Sequence, residues 1–323
     1  MNSGKLQFLL SVLFFYLNSN CSFFAQSGQI KLNNGISIAY ESFGDPANTP
    51  ILLIQGTGAT LLHYPVSLCE SLAEKGYRVI RFDNRDIGLS THLDSLGQPD
   101  WAAIGPLVGS CKAAPLAYSL LDMACDVIGL MDALNIVQAN IVGASMGGAI
   151  AQLVAIHFPA RILTMTCLSS TSGNPARAPG DAQALSAMSV PPPDSSDPDT
   201  LADYLINIYR TLGAVDSDDI LRKRALEHVR HRHWDPASVN RQLAAVMIGE
   251  YCDRREQLRE LKLPVMIVHG TADPLVPIPA GKELAAAIPN AMFHEISGMG
   301  HDISEKFVPE ITYCITTIAK KHR

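Results

Sequence analysis

The chain has 323 residues, of which 47% are hydrophobic and 17% are charged. This length and composition predict a sizeable folded core, in one elaborated domain or two small ones, and argue against extensive disorder. A formal charge of −6, with no basic stripe along the chain, argues against nucleic acid as a partner.

Residues 1–25 have the pattern of a secretory signal peptide. Lys5 precedes a nearly continuous apolar run from Leu6 to Leu17, which as a helix would span about 18 Å of the roughly 30 Å core of a bilayer. We place the cleavage after Ala25 and predict export, secreted or periplasmic, with no stable membrane span once the signal is removed. An uncleaved N-terminal membrane anchor is the alternative, and the cleavage point stays open.

Six cysteines follow this segment without a CxxC pair. Cys69, Cys125 and Cys167 lie in apolar helix or strand patterns, where a free cysteine commonly packs as a small hydrophobic side chain. The sequence does not decide whether any two of the six form a disulfide.

Strand and helix patterns then alternate along the chain. Strands are predicted at 36–40, 51–54, 77–82, 140–142, 163–168, 265–268 and 293–296. Helices are predicted at 65–75, 122–134 and 280–288, with an alanine-rich helix ending at 157 and a terminal helix ending near 320. This alternation predicts an α/β fold, with a mostly parallel central sheet that is flanked by helices on both faces.

A helical insertion interrupts the alternation. Residues 173–200 are rich in Pro, Asp, Ser and Ala and favour loop backbone, whereas 201–257 have a helical pattern with no strand between. We therefore predict that residues 26–172 and 261–323 form the two parts of one α/β core. Residues 173–260 are predicted as the insertion.

Gly143-Ala144-Ser145-Met146-Gly147 matches the pattern G-x-S-x-G between a strand and a helix. Glycine at 143 and 147 removes Cβ atoms that would collide in so tight a turn. The turn holds the Ser145 hydroxyl above the sheet at a helix N-terminus, where negative charge is favoured. Ser145 is therefore the candidate nucleophile, although such turns also arise for structural reasons alone.

A serine nucleophile needs a base that is oriented by an acid, and in this chain order the acid precedes a histidine. Asp273 follows the predicted strand at 265–268, and His301 follows the last strand. Ligands of open α/β sheets bind at the carboxyl ends of the strands. We predict Asp273 as the acid and His301 as the base, with Asp302 and His269 as the neighbours that could replace them.

Two backbone N–H groups are predicted to form an oxyanion hole. One belongs to Met146, directly after the nucleophile. The other comes from the glycine-flanked loop after strand 51–54, where Thr57 is the candidate and Gly56 the alternative; a merely structural glycine turn is also open.

The remaining polar motifs predict structure rather than chemistry. Arg81 to Ser90 (RFDNRDIGLS) is interpreted as a buried charge network that braces the active-site loops. His231 and His233 are interpreted as part of a charged helix face and not as metal ligands. Neither a metal nor another cofactor is expected.

Five segments together resemble the α/β-hydrolase superfamily, and they are QGTGAT, RFDNRDIGLS, VGASMGG, HGTADPLVP and GMGH. Within it, the sequence is similar to the branch that contains aclacinomycin methylesterase, over nearly all the chain from about Ile36. The resemblance implies a hydrolase of a small-molecule ester or related acyl bond, the site residues named above and a helical cap formed by residues 173–260. Gln55 departs from the pattern, because many members have His before the glycine.

The predicted function is a serine hydrolase that forms an acyl-enzyme on Ser145. Carbon–carbon bond hydrolysis uses the same three residues and stays open, as does a non-catalytic ligand-binding role. Aminopeptidase activity would need acidic cap residues to bind the amine of the substrate. Glu227, Glu250 and Asp253 are available, but the sequence does not indicate whether any of them lies at the site. Serine at 145 excludes a haloalkane dehalogenase, which needs a carboxylate there. The oligomeric state is not indicated.

Overall fold

The computed structural model describes residues 26–320, apart from 189, 191, 192, 194 and 232–234. The predicted signal peptide, with its cleavage after Ala25, and His233 lie outside the described residues. In the described part of the chain, no helix combines the length and the apolar character that crossing a membrane requires.

A single sheet of eight strands forms the centre of the molecule. The strands are β1 (Gln26–Lys31), β2 (Ser37–Phe43), β3 (Thr49–Ile54), β4 (Tyr77–Phe82), β5 (Ala139–Ala144), β6 (Ile162–Leu168), β7 (Val265–Gly270) and β8 (Met292–Ile296). Their order is β1-β2-β4-β3-β5-β6-β7-β8. Strands β1 and β2 run antiparallel to their neighbours, and the other pairings are parallel. The predicted mostly parallel sheet is confirmed.

Eleven α-helices are present in the described residues. They are α1 (Val66–Glu74), α2 (Trp101–Ile104), α3 (Leu120–Ala133), α4 (Met146–His157), α5 (Ala182–Met188), α6 (Pro198–Thr211), α7 (Asp218–His231), α8 (Pro236–Gly249), α9 (Arg255–Leu258), α10 (Ile278–Ala287) and α11 (Val308–Ala319). Helices α5 to α9 all lie between β6 and β7, within residues 173–260, which are called the cap segment below.

The core has two halves, one on each face of the sheet. Successive side chains of a strand point to opposite faces, so Leu52 and Ile54 pack with α3 and α4, whereas Ile51 and Leu53 pack with α1 and α11. All four side chains are fully buried. This two-sided burial is why the central strands are continuous apolar runs in the sequence.

Three elements differ from the prediction: the four-residue helix α2, strand β1 and helix α5. Strand β1 is absent from it, because Gln26–Lys31 is an exposed edge strand with a single large apolar residue, and backbone pairing with β2 holds it in place. Helix α5 lies in the stretch predicted as loop. Its sequence AQALSAM contains good helix formers, which outweigh the surrounding Pro-rich composition over these seven residues.

One disulfide joins Cys111, which precedes α3, to Cys252, which follows α8. It bridges 141 residues of sequence and ties the cap segment to the core, with Cα atoms 4.9 Å apart. Cys69 and Cys167 are buried free thiols, as predicted, but Cys125 is exposed. The prediction for Cys125 is wrong because α3 buries Ala124 on its apolar face and turns the next side chain to solvent.

Replacing Cys252 with Ser is expected to lower the free energy of unfolding by about 2–4 kcal/mol, because the open chain regains the entropy of a long loop. Urea unfolding under non-reducing conditions measures this, with Cys125→Ser as the control for losing an exposed thiol. Equal stability of the two variants would contradict a disulfide at this position.

Candidate active site

Ser145 lies at the junction of β5 and α4 with φ 54° and ψ −121°. A side chain in this left-handed region is strained, at a cost of roughly 1–3 kcal/mol, and such strain persists only where surrounding structure imposes it. Here the Ser145 N–H donates to the carbonyl of Leu168 at 2.9 Å, on the neighbouring strand β6. The turn therefore holds Ser145 at the carboxyl end of the sheet and at the N-terminus of α4.

Glycine is required on both sides of Ser145. A Cβ atom at Gly143 would overlap the backbone of Gly147, and one at Gly147 would overlap the carbonyl of Ile54 on β3. Because the overlapping atoms are backbone atoms of helix α4 and strand β3, neither overlap can relax cheaply. The turn at Ser145 thus packs directly against the neighbouring strand β3.

Asp273 and His301 meet at the same edge of the sheet, after β7 and β8. The Nδ1 atom of His301 lies 2.8 Å from Oδ2 of Asp273, and both side chains are almost fully buried. Oδ1 of Asp273 accepts hydrogen bonds from the backbone N–H groups of Leu275 (3.0 Å) and Val276 (2.8 Å). The carboxylate is therefore fixed, and it favours the His301 tautomer with the proton on Nδ1.

That tautomer leaves Nε2 of His301 as a proton acceptor. Nε2 is buried, and no hydrogen-bond partner for it is present among the described residues. Of the sequence-predicted residues, the structure joins Asp273 to His301 directly and places Ser145 at the end of β5, in the same sheet.

The two alternatives, His269 and Asp302, are engaged elsewhere. His269 is buried on β7, where its Nε2 donates to the carbonyl of Val276 at 2.7 Å and lies 3.6 Å from Asp273. Burial lowers the pKa of His269, which favours its neutral form. Asp302 accepts a hydrogen bond from Arg224 at 2.9 Å. Asp273 and His301 therefore stay the candidate acid and base.

Charges around His301 favour its protonated form. Burial acts most strongly and would lower the pKa of His301, but the charge and hydrogen bond of Asp273 outweigh it, with help from Glu250 and Asp302, and the pKa is raised. Burial would likewise raise the pKa of Asp273, yet the His301 charge and hydrogen bond, with the Val276 N–H and His269, lower it. The pair thus favours an ionised Asp273 beside a His301 of raised proton affinity.

The loop after β3 lies against Ser145. A Cβ atom at Gly56 would lie 3.3 Å from Cβ of Ser145 and 3.9 Å from its Oγ, so the backbone approaches the serine closely. The cap segment holds this loop, because the Gly58 N–H donates to Oε1 of Gln242 at 2.9 Å. Met146 is the first residue of α4 and is fully buried. Whether Thr57 or Gly56 joins Met146 as an oxyanion donor stays a prediction.

The predicted charge network at Arg81–Ser90 is confirmed in its structural role. Arg81 pairs with Glu41 at 2.6 Å, and Arg85 makes a two-pronged pair with Asp126 at 2.5 and 2.7 Å. Asp83 is fully buried and accepts from the backbone of the loops on either side, at Leu61 (2.7 Å) and Leu89 (3.0 Å). These bonds brace the loops that surround Ser145.

Asp86 extends the network to the cap segment. Arg241 of α8 donates to both Asp86 oxygens, at 2.6 and 2.8 Å, and also to Asp94 at 2.8 Å. Asp86, His92 and Asp94 present three potential ligand atoms within 4.8 Å of one another. The Arg241 guanidinium already supplies the positive charge there, so we interpret this cluster as an ion-pair network and not as a metal site.

Comparison with known proteins gives the family. A family model described as alpha/beta hydrolase fold matches residues 49–307. The chain belongs to the α/β-hydrolase family.

Related hydrolases cover most of the chain. Rhodomycin D methylesterase DauP of Streptomyces sp. (strain C5) is 28% identical over 290 residues, which are 82% of this chain and 89% of the relative. A 2-hydroxy-6-oxononadienedioate/2-hydroxy-6-oxononatrienedioate hydrolase of Paraburkholderia xenovorans (strain LB400) is 27% identical, over 86% of this chain and 91% of the relative. The predicted resemblance to methylesterases is confirmed, and the protein is a hydrolase.

Solved structures support the fold. The meta-cleavage product hydrolase CumD from Pseudomonas fluorescens IP01 has a TM-score of 0.70 at 19% identity, and covers 92% of this chain and 98% of its own. Esterase RhEst1 from Rhodococcus sp. ECU1013 has a TM-score of 0.67 at 22% identity, over 90% of this chain and 99% of its own. At these identities the likeness shows the fold alone.

Glu250, at the end of α8, is a buried carboxylate whose position near His301 could not be predicted from the sequence. Burial raises the pKa of Glu250, and the charges of Arg254, Arg177 and His301 act against that rise. Asp253, in contrast, is exposed and pairs with Arg255 at 2.6 Å. Of these two acidic residues, Glu250 is the one on which the charge of His301 acts. Its sequence context is a helix end and carries no signal for this placement.

Proposed function

We propose that this hydrolase cleaves a carboxylic ester of a small molecule through an acyl-enzyme on Ser145. The observation that carries the proposal is the buried 2.8 Å contact between His301 Nδ1 and Asp273, which leaves Nε2 as an acceptor. This pair shares the carboxyl edge of the sheet with a serine in a strained turn, an arrangement suited to nucleophilic catalysis.

In the proposed mechanism, His301 Nε2 takes the proton of Ser145 Oγ, and Oγ attacks the ester carbonyl carbon. The N–H groups of Met146 and Thr57 stabilise the negative oxygen of the tetrahedral intermediate. The intermediate collapses, and the alcohol leaves with the proton from His301. Water, deprotonated by His301, then hydrolyses the acyl-enzyme and restores Ser145. Asp273 orients His301 and stabilises its charged form.

The relatives favour an ester with a small alcohol, because the two Streptomyces relatives are named as rhodomycin D methylesterases. A second candidate is carbon–carbon bond hydrolysis, since several relatives are named as hydrolases of 2-hydroxy-6-oxo acids. Both reactions fit the same three residues, so only substrates can separate them. We propose that the cap segment lies over the site and selects between the ester and the carbon–carbon substrate.

A substrate panel tests this choice. Purified residues 26–323 are assayed with p-nitrophenyl and methyl esters and with a 2-hydroxy-6-oxodienoate, beside Ser145→Ala. Ester turnover that is lost in the variant supports the proposal. Turnover of the oxodienoate alone would support the second candidate, and no turnover of either by folded protein would favour a ligand-binding role.

The rate should depend on pH through His301. Because the base must be neutral and its pKa is raised, kcat/KM should climb with pH and reach half its maximum above about 6.5, the ordinary value for histidine. Below that pH, protonation of His301 removes the base. A pH–rate profile from 5 to 9 measures this, and a flat profile from roughly pH 5 to 8 would contradict the assignment.

We also propose that residues 1–25 direct export. A disulfide between Cys111 and Cys252 supports an oxidising compartment. N-terminal sequencing of the protein recovered from periplasm or medium should begin at Gln26. A chain that keeps Met1 and stays with the membrane would support the anchor instead.

A further inference from the structure

The cap segment lies along the loop that carries His301. The N–H of His301 itself donates to the carbonyl of Leu212 at 2.6 Å. Val215 donates to Oγ of Ser304 at 3.1 Å, and the N–H of Glu305 donates to Asp216 at 3.0 Å. The connection between α6 and α7 is therefore bonded to the base and to the residues just after it.

A buried ion pair strengthens this contact. Arg224 of α7 donates from Nη2 to Oδ1 of Asp302 at 2.9 Å, with side chains only 11% and 2% exposed. The guanidinium carbon lies 4.2 Å from the centre of the Tyr209 ring, and Oδ2 of Asp302 accepts from Ser304 at 2.9 Å. Both partners are thus held in place, and Asp302 is the neighbour of His301 in sequence.

The charge of Asp302 acts on His301. Several titratable side chains surround the imidazole, and they are Asp273, Glu250, Asp302, His63 and His269. Burial, followed by the charges of Arg224 and His301, lowers the pKa of His63 to about 3, so His63 is neutral at working pH. The negative groups favour the imidazolium, and Arg224 pairs with the one that is adjacent in sequence.

We propose that Arg224 is a positioning residue for the reaction: through Asp302 it fixes the loop of His301 and partly offsets a negative charge beside the base. The inference rests on the proposed function, because it assumes that His301 is the base. A purely structural anchor of the cap segment would hold the loop without changing the proton affinity of His301.

Four variants separate these roles: Arg224→Met, Arg224→Lys, Asp302→Asn and the double variant Arg224→Met/Asp302→Asn. For each, kcat/KM for an ester and the rate of fluorophosphonate labelling are measured from pH 5 to 9, with circular dichroism as the check of folding. The matched control is Arg222→Met, on the same helix, where the side chain is 44% exposed and pairs with Asp203.

Arg224→Met should lower kcat/KM roughly tenfold through loss of positioning and move the acid limb of the profile up by about one pH unit, because Asp302 is left unneutralised. In Arg224→Lys, the acid limb should lie close to its pH in the wild type, because lysine keeps the positive charge. Asp302→Asn should move the limb down, the double variant should lie between the two single variants, and Arg222→Met should leave it unchanged.

An acid limb that stays in place in Arg224→Met would overturn the inference. If that variant does not fold, an unmoved limb in Asp302→Asn overturns it equally. Failure of the proposed function is distinguishable, because the wild type would then show neither labelling nor an acid limb.

Discussion

Replacing Ser145 with Ala is expected to lower kcat for ester hydrolysis by about 10⁴- to 10⁶-fold, the range found when a serine nucleophile is removed. Alanine cannot form the acyl-enzyme, and the remaining oxyanion donors supply only a residual acceleration. KM should change little, since alanine leaves the surrounding side chains in place. Steady-state kinetics with a chromogenic ester measures both constants.

The fold should survive this change. Ala at 145 keeps the same Cβ atom and the backbone hydrogen bond to Leu168, so the free energy of unfolding should stay close to that of the wild type. Ser297→Ala, at an exposed position in the loop before His301, is the control and should retain full activity. A Ser145→Ala enzyme with more than a few per cent of wild-type kcat would contradict the assignment.

Replacing Arg241 with Met is expected to lower the free energy of unfolding by about 3–5 kcal/mol, because it leaves the carboxylate of Asp86 buried without its cation. Both side chains are almost fully buried, at 1% and 0% exposed. Tyr118 and Ser238 would still donate to Asp86, but neither neutralises its charge. Urea unfolding gives the change in stability.

Arg222→Met is the matched control for the loss of an arginine ion pair, since its partners are exposed and it should cost about 0–1 kcal/mol. A second variant, Asp86→Asn/Arg241→Met, removes both charges and should be less destabilised than the sum of the two single changes. Equal losses of stability in Arg241→Met and Arg222→Met would contradict a larger contribution of the buried pair to folding.

Much of the fold could be predicted from the sequence because the central strands are parallel and buried on both faces. Strand β4 begins and ends at the predicted residues, 77 and 82. The elements that were missed have little apolar pattern: β1 offers a single large apolar side chain, and α5 buries only Ala184. Backbone pairing and local helix propensity decide such segments, and neither leaves a periodic signal.

The candidate site likewise has features that the sequence predicts and features that it does not. The pairing of Asp273 with His301 follows from chain order and strand ends, so the sequence alone indicates it. The partners that Arg241 and Arg224 find, and the disulfide between Cys111 and Cys252, join residues far apart in the chain. Spacing in the sequence carries no information on such contacts, because only the folded arrangement of the cap segment on the core brings them together.

The most direct test of the central claim is covalent trapping of the nucleophile. Purified protein is incubated with a fluorophosphonate, and intact mass with peptide mapping locates the adduct in the wild type and in Ser145→Ala. We predict one adduct per chain, on the peptide that contains Ser145, and none in the variant. A folded wild type that remains unlabelled, or an adduct that persists in Ser145→Ala, would contradict Ser145 as the nucleophile.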